Sequence, residues 1–246
     1  MAETSDVKFL NVCGKHLTMF KAVGARWNHP DKALKIADLQ TLLDGGYPIA
    51  ENVMSKVAPF NIVINKRQAA YAKIDPMVRA SRRYLKSTNA TEAEIADINT
   101  IINKLLGSGG KKKETLDPNK PAAEVEQGNS TSHRSFDARQ GNLIALRHAF
   151  DVLAAYDTNE TNINIVAYDA LIAEIEAANQ AVNEAYAEAF NAWNERDAKL
   201  YDNPDSILEI FRRAKEYYKS LFEPKSPEYK AITAKAMTLD SNSRSR

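Results

Sequence analysis

The chain has 246 residues, with 33 Lys and Arg against 32 Asp and Glu, 44% hydrophobic and 26% charged residues, and a single cysteine. That length can bury one large core or two smaller ones, and the balance is that of a soluble globular protein. Cys13 alone excludes an intrachain disulfide and any multi-cysteine metal site. No stretch nears eighteen uninterrupted apolar residues, and the Met1 to Asp6 start lacks the basic and apolar character of a secretory signal. A cytoplasmic protein with no membrane span is therefore expected.

From Phe9 to Trp27, the positions Phe9, Cys13, Leu17, Phe20, Gly24 and Trp27 keep helical spacing. Asn28-His29-Pro30-Asp31 reads as a stop and restart. A long helix follows from near Lys32, with kinks or breaks expected at Gly45-Gly46-Tyr47-Pro48 and at Pro59. Asp75-Pro76 reads as a cap and first-turn proline opening a third helix through Val78, Tyr84 and Leu85. Thr91-Glu92-Ala93-Glu94 has capping-box spacing for a fourth helix, which Gly107 ends. Residues 107–135, with Gly-Ser-Gly-Gly, three lysines and two prolines, carry no apolar periodicity and read as a flexible linker. Lys111 to Lys113 within it are read as solvated.

The second portion repeats this order. A helix from Phe136 to Tyr156 precedes a long one from Ile163 to Asp202, forty residues free of Pro and Gly that would span about 60 Å. Its seam runs Ile165, Tyr168, Ile172, Ile175, Asn179, Val182, Tyr186, Ala189, Trp193, Arg196, Leu200. Shifted back by 129 positions, the seam lands on Ile36, Leu39, Leu43, Gly46, Ala50, Val53, Val57, Phe60, Ile64, Arg67 and Tyr71. Asn203-Pro204-Asp205 and Ser226-Pro227-Glu228 open two further helices, and the polar tail after them is expected to fray. The fold class is thus all-α: two pseudo-repeated helical bundles, residues 1–106 and 136–246, of about four helices each with one long helix apiece.

Near-neutral net charge conceals an asymmetry. Residues 1–106 hold 15 Lys and Arg against 10 Asp and Glu, whereas residues 136–246 hold 13 against 18. Opposite fields favour docking of the two portions, or head-to-tail assembly of chains; the alternative is that the charges serve solubility alone.

Candidate interaction residues follow from position. Arg67 and Arg196 occupy equivalent seam positions where an apolar residue belongs. Each marks either a partner or anion site, or an Arg paired with a nearby Asp or emerging into solvent. Arg79, Arg82, Arg83 and Lys86 form a basic stripe on one helix, with Lys66 and Lys73 upstream and Tyr71 and Tyr84 placed to stack. Its counterpart mixes Glu209 and Glu216 with Arg212, Arg213 and Lys219 at intrahelical pairing distances. Asn179 reads as a register-setting polar residue.

Enzymatic signals are scarce: no Gly-rich phosphate loop, no Gly-x-Ser-x-Gly and no His-Glu-x-x-His. His16, His29, His133 and His148 are isolated, and Glu174, Glu184 and Glu188 read as solvated carboxylates rather than metal ligands. No cofactor is implied. The expected function is a non-catalytic structural or interaction protein (scaffold, assembly component or adaptor) using its seams and complementary charge toward a protein partner or its own copies. Nucleic-acid binding through the basic stripe is the alternative, and a helical-bundle enzyme or metal protein without a recognisable motif is the third option.

Overall fold

A computed structural model describes residues 5–107 and 135–239. The expected linker (apart from its end residues, 107 and 135), Lys111 to Lys113, His133 and the expected frayed tail lie outside the described residues. Among the described residues, eight α-helices run in order: α1 (Ser5–Ala22), α2 (Ile36–Ala72), α3 (Ile74–Leu85), α4 (Glu92–Leu106), α5 (Phe136–Val152), α6 (Ile165–Arg196), α7 (Ile207–Ser220) and α8 (Pro227–Thr233). No strand occurs among the described residues, so the all-α class holds, and no helix there is long and apolar enough to cross a membrane.

Two compact units share this chain. Unit 1 comprises residues 1–61 and 184–246, and unit 2 comprises residues 62–183. Both boundaries fall inside a long helix, α2 or α6. Each unit therefore draws on both of the sequence portions distinguished above.

In unit 1, α1 buries Phe9, Leu10, Cys13, Leu17 and Phe20 against Ile207, Leu208, Phe211 and Ala214 of α7 and Leu39 and Leu43 of α2. After α1, Gly24 takes a left-handed φ of 64° that glycine adopts without strain. That turn brings Trp27 back to stack on Phe20 at 4.6 Å, and its indole N–H donates to the Leu34 carbonyl at 2.8 Å. Asp31 then caps a short 3-10 turn by accepting from the Ala33 N–H at 2.9 Å.

Gly46 lies where α2 passes against the core of unit 1. A Cβ added there would lie 2.6 Å from both Leu10 Cδ2 and Ile207 Cδ1, two side chains that are themselves buried. The Gly-Gly-Tyr-Pro stretch thus permits close packing rather than ending the helix. The breaks expected at Pro48 and Pro59 do not occur: α2 is a single helix of 37 residues containing both. Both prolines are exposed, so the carbonyls of Asp44 and Ser55, which lose their amide donors, stand where water replaces them.

In unit 2, Val78 and Leu85 of α3, Ile98 and Ile102 of α4, Leu143, Leu146 and Phe150 of α5, and Tyr168 and Ile175 of α6 form the core. Three hydroxyls are buried inside it. Tyr156 Oη lies 2.9 Å from Ser81 Oγ and 2.8 Å from the Ile163 carbonyl, and Ser81 Oγ lies 2.7 Å from Tyr168 Oη. Mutual hydrogen bonding removes the cost of burying them. Thr91 forms the capping box with Glu94, and Gly107 closes α4 at φ 70°. The Asp75 cap is corrected: α3 follows α2 after one residue, its N-cap is Lys73, and Asp75 instead pairs with Arg139. Likewise the cap of α7 is Ser206, accepting from the Glu209 N–H, rather than Asn203.

Gly46→Ala is expected to lower unfolding stability by about 1–3 kcal/mol through overpacking. Gly45→Ala, with nothing within 4 Å of its added Cβ, should raise it by about 0.5–1 kcal/mol through helix propensity. Urea midpoints of the two variants check this opposition.

Candidate functional site

Arg196 ends α6 inside unit 1 with no exposed surface. Its Nη2 and Nε donate to Asp197 Oδ1 at 2.9 and 3.1 Å, and Nη1 approaches Asp6 Oδ2 at 3.4 Å. Tyr201 donates to the other Asp6 oxygen at 2.8 Å. Residues Asp197 to Asp202 wind as a π-helix, which places Asp197, Leu200 and Tyr201 in the interior. A guanidinium so enclosed holds its own chain together and offers no surface to an outside partner. Arg67, its counterpart on α2, meets no acid in this way; its guanidinium carbon stands 4.2 Å over the Phe136 ring in unit 2. Arg196 is thus fully buried among carboxylates, whereas Arg67 is half-buried and packs on a ring face. Asn179 donates to Tyr71 Oη at 3.0 Å and to Gln140 at 2.8 Å, joining α2, α5 and α6.

The basic stripe lies on α3 in unit 2 and is not uniform. Arg82 is half-buried and donates to Asn103 of α4. Arg79, Arg83 and Lys86 are exposed, at spacings of four and three that put them on one helix face. The expected stacking partners are not available: Tyr71 is buried, and the Tyr84 hydroxyl donates to the Asp157 carbonyl. Lys73 pairs with Glu174 at 2.6 Å, at one end of a shallow groove of about 420 Å³ lined by Ala69, Ala70, Ala177, Ala178 and Ala181. On α7 the mixed charges do pair, Arg212 with Glu209 at 2.6 Å and Lys219 with Glu216 at 2.7 Å.

Among the described residues, no group of three or more His, Cys, Asp or Glu stands close enough to hold a metal ion. Glu188 and Glu174 each face a lysine, Lys56 and Lys73. His16 is buried in unit 1, where its Nε2–H donates to the Met237 carbonyl at 3.0 Å. Lys215 donates to the same carbonyl at 2.8 Å. Burial first, and the Lys215 charge second, hold the His16 pKa down to about 4. It fastens the end of the described chain to α1 as a neutral ring.

The seam aromatics gather on an exposed surface. Phe60, Tyr186 and Trp193, all read as seam residues, form a ring cluster in unit 1 that also takes in Phe190, which the sequence reading did not name. Tyr186 lies 5.7 Å from Phe60, 5.9 Å from Phe190 and 6.5 Å from Trp193, and Phe60 lies 6.3 Å from Trp193. Tyr186 is 49% and Phe190 42% exposed. The seam is buried at Tyr168, Ile175, Val182, Ala189 and Leu200 but surfaces here. One available signal was the lack of charge: α2 has no charged residue from Val57 to Asn65, nor α6 from Ala189 to Asn194.

Comparison with protein families, curated proteins and solved structures finds no match to this chain.

Arg196→Met should destabilise the protein by about 3–5 kcal/mol, because two buried carboxylates lose their cation. Lys56→Met, which breaks a solvent-exposed pair, should cost no more than about 1 kcal/mol; guanidinium unfolding of both variants checks the contrast. The lowered His16 pKa gives a second test. Its contribution is complete above the unfolded value near 6.5 and is lost as pH falls toward 4, because the unfolded chain takes up the proton first. His16→Gln, which keeps an N–H donor without titrating, should flatten that part of the stability–pH curve.

Proposed function

We propose that this chain is a non-catalytic helical structural or interaction protein, a scaffold, assembly component or adaptor, working through the surfaces of its long helices. The aromatic cluster of Phe60, Tyr186, Phe190 and Trp193 carries this reading. Partly exposed aromatic side chains gathered beside uncharged stretches of both long helices resemble the composition of a contact surface, in which aromatics are enriched.

The same proposal includes an internal duplication. Elements α1 to α4 and α5 to α8 run in the same order, with the long helix second in each set. Arg67 and Arg196 are 129 positions apart, and Arg82 and Arg212 are 130 apart. On this reading one residue is added between Arg196 and Arg212, a stretch that includes the π-helix Asp197–Asp202, whose wider turn could accommodate it. Each compact unit also holds the same kit: a first helix and the start of a long helix from one portion, and the end of a long helix with its two followers from the other.

Complementary charge contributes to this reading as well. Lys56 with Glu188 and Lys73 with Glu174 join a basic first portion to an acidic second one, although Asp6, Asp31 and Asp75 pair in the opposite sense with Arg196, Arg213 and Arg139. A cytoplasmic setting and a protein partner, or further copies of the chain, complete the proposal. Nucleic-acid binding is the second reading, favoured by the exposed row of Arg79, Arg83 and Lys86.

Size-exclusion chromatography with light scattering separates the two. Association guided by charge should weaken, without vanishing, between about 0.05 and 0.5 M salt. Replacing Arg79, Arg83 and Lys86 by Ser should leave association unchanged. Retention of the wild-type chain on DNA or RNA, lost in that variant, would instead establish the second reading.

A further inference from the structure

We infer that the two portions of this chain, residues 1–106 and 136–246, bind one another independently of the connection between them, so that a second copy of the chain can supply either one. This deepens the assembly reading above by naming its partner, and it does not draw on the aromatic cluster. Both cores are shared between the portions. In unit 1 the buried residues from Phe9 to Ala50 belong to the first portion, and those from Leu200 to Leu239 to the second. In unit 2 the residues from Ala70 to Leu106 come from the first, and those from Leu143 to Ile175 from the second. Ring contacts cross the same divide: Phe20 lies 5.7 Å from Tyr218 and 6.3 Å from Phe211, and Tyr71 lies 4.7 Å from Phe136. Apart, each portion would present to water the apolar faces that now meet. Their association is therefore driven as a core is, in the manner of an obligate interface.

Buried polar pairs select the partner. Asp6 of the first portion lies 3.4 Å from Arg196 and accepts from the Tyr201 hydroxyl at 2.8 Å, both of the second. Ser81 of the first portion meets Tyr156 and Tyr168 of the second, and the Tyr71 hydroxyl accepts from Asn179. A foreign apolar surface in place of the second portion would leave Asp6 and Ser81 buried without these groups, which is costly. A second copy of the chain carries the same groups at the same spacing. The more exposed pairs of Asp31 with Arg213, Asp75 with Arg139 and Lys73 with Glu174 also cross between portions and fix orientation. None of these contacts involves residues 108–134. A single chain and a set of chains that have exchanged portions thus share the same described contacts, and concentration decides between them. Covalent connection holds linked partners at an effective concentration in the millimolar range, so dilute protein stays as single chains. Exchange between two chains makes a two-fold pair, and exchange passed along makes a head-to-tail series.

The test cuts the full chain at a protease site inserted after Lys113. The cut protein should keep its helical circular dichroism and remain one particle holding both pieces. Unlabelled and nitrogen-15-labelled cut protein, unfolded and refolded together, should give hybrid particles as often as parental ones by native mass spectrometry. Asp6→Asn should raise the dissociation constant of the two pieces about thirty-fold or more. Asp75→Asn, at a half-exposed pair, should raise it by a smaller factor, and Val166→Ser, at an exposed apolar residue, should leave it unchanged. Uncut chain unfolded and refolded at about 1 μM should return as single-chain particles, and at about 1 mM partly as particles of two or more chains. Pieces that separate after the cut, or that lose their helical signal, overturn the inference. So does uncut chain that returns only as single-chain particles at about 1 mM. Larger particles that form when folded chain is merely concentrated, with no hybrids among the cut pieces, overturn the exchange and leave the surface reading above standing.

Discussion

Length sets the terms for this protein. A helix of 37 residues such as α2 extends about 55 Å, more than one small core can cover along its whole face. Its first part packs on α1 and α7 in unit 1, while Ala70 and Tyr71 near its end are buried in unit 2. The second long helix behaves in the same way, with Tyr168, Leu171 and Ile175 in one core and Leu200 of the following π-helix in the other. The turns that neither core claims are those where aromatic rings reach solvent. An exposed aromatic surface arises there because apolar periodicity continues beyond the residues that the two cores bury.

Several polar groups taken into the cores are tied to partners that fix geometry as well as offsetting desolvation. Arg196 pairs with both Asp6 and Asp197, the first distant in sequence and the second adjacent. Ser81 links Tyr156 to Tyr168, and Asn179 links Tyr71 to Gln140. Such contacts specify which helices meet, since an apolar core alone tolerates many arrangements. The burial of Cys13 has a related chemical effect: it raises the thiol pKa far above its usual range, so the sulfur serves as a small apolar filler.

The helical class was readable because residues such as Leu39, Leu43 and Ala50, or Tyr168 and Ile175, recur at helical spacing and do face the interior. Local chemistry also placed the Thr91 box, the Gly107 stop and the Ser226 start. Properties set by distant chain were not readable. Pro48 and Pro59 stay helical because their flanks face water, and Gly46 is needed because Leu10 and Ile207 arrive from elsewhere. Periodicity tells which face of a helix is apolar but not what will meet it. For the same reason the seam reading of Tyr186 and Trp193 did not tell whether their rings are covered, and Arg196 did not point to Asp6, 190 residues away.

The discontinuous build of unit 1 bears on how the protein is made. Unit 2 is one uninterrupted stretch of sequence, residues 62–183, whereas unit 1 joins residues 1–61 to residues 184–246. A ribosome adding about 5–20 residues per second delivers α7 some 10–40 s after α1. Through that interval Phe9, Leu10, Leu17 and Phe20 have no α7 to rest on. The order of translation therefore favours completing the contiguous unit first.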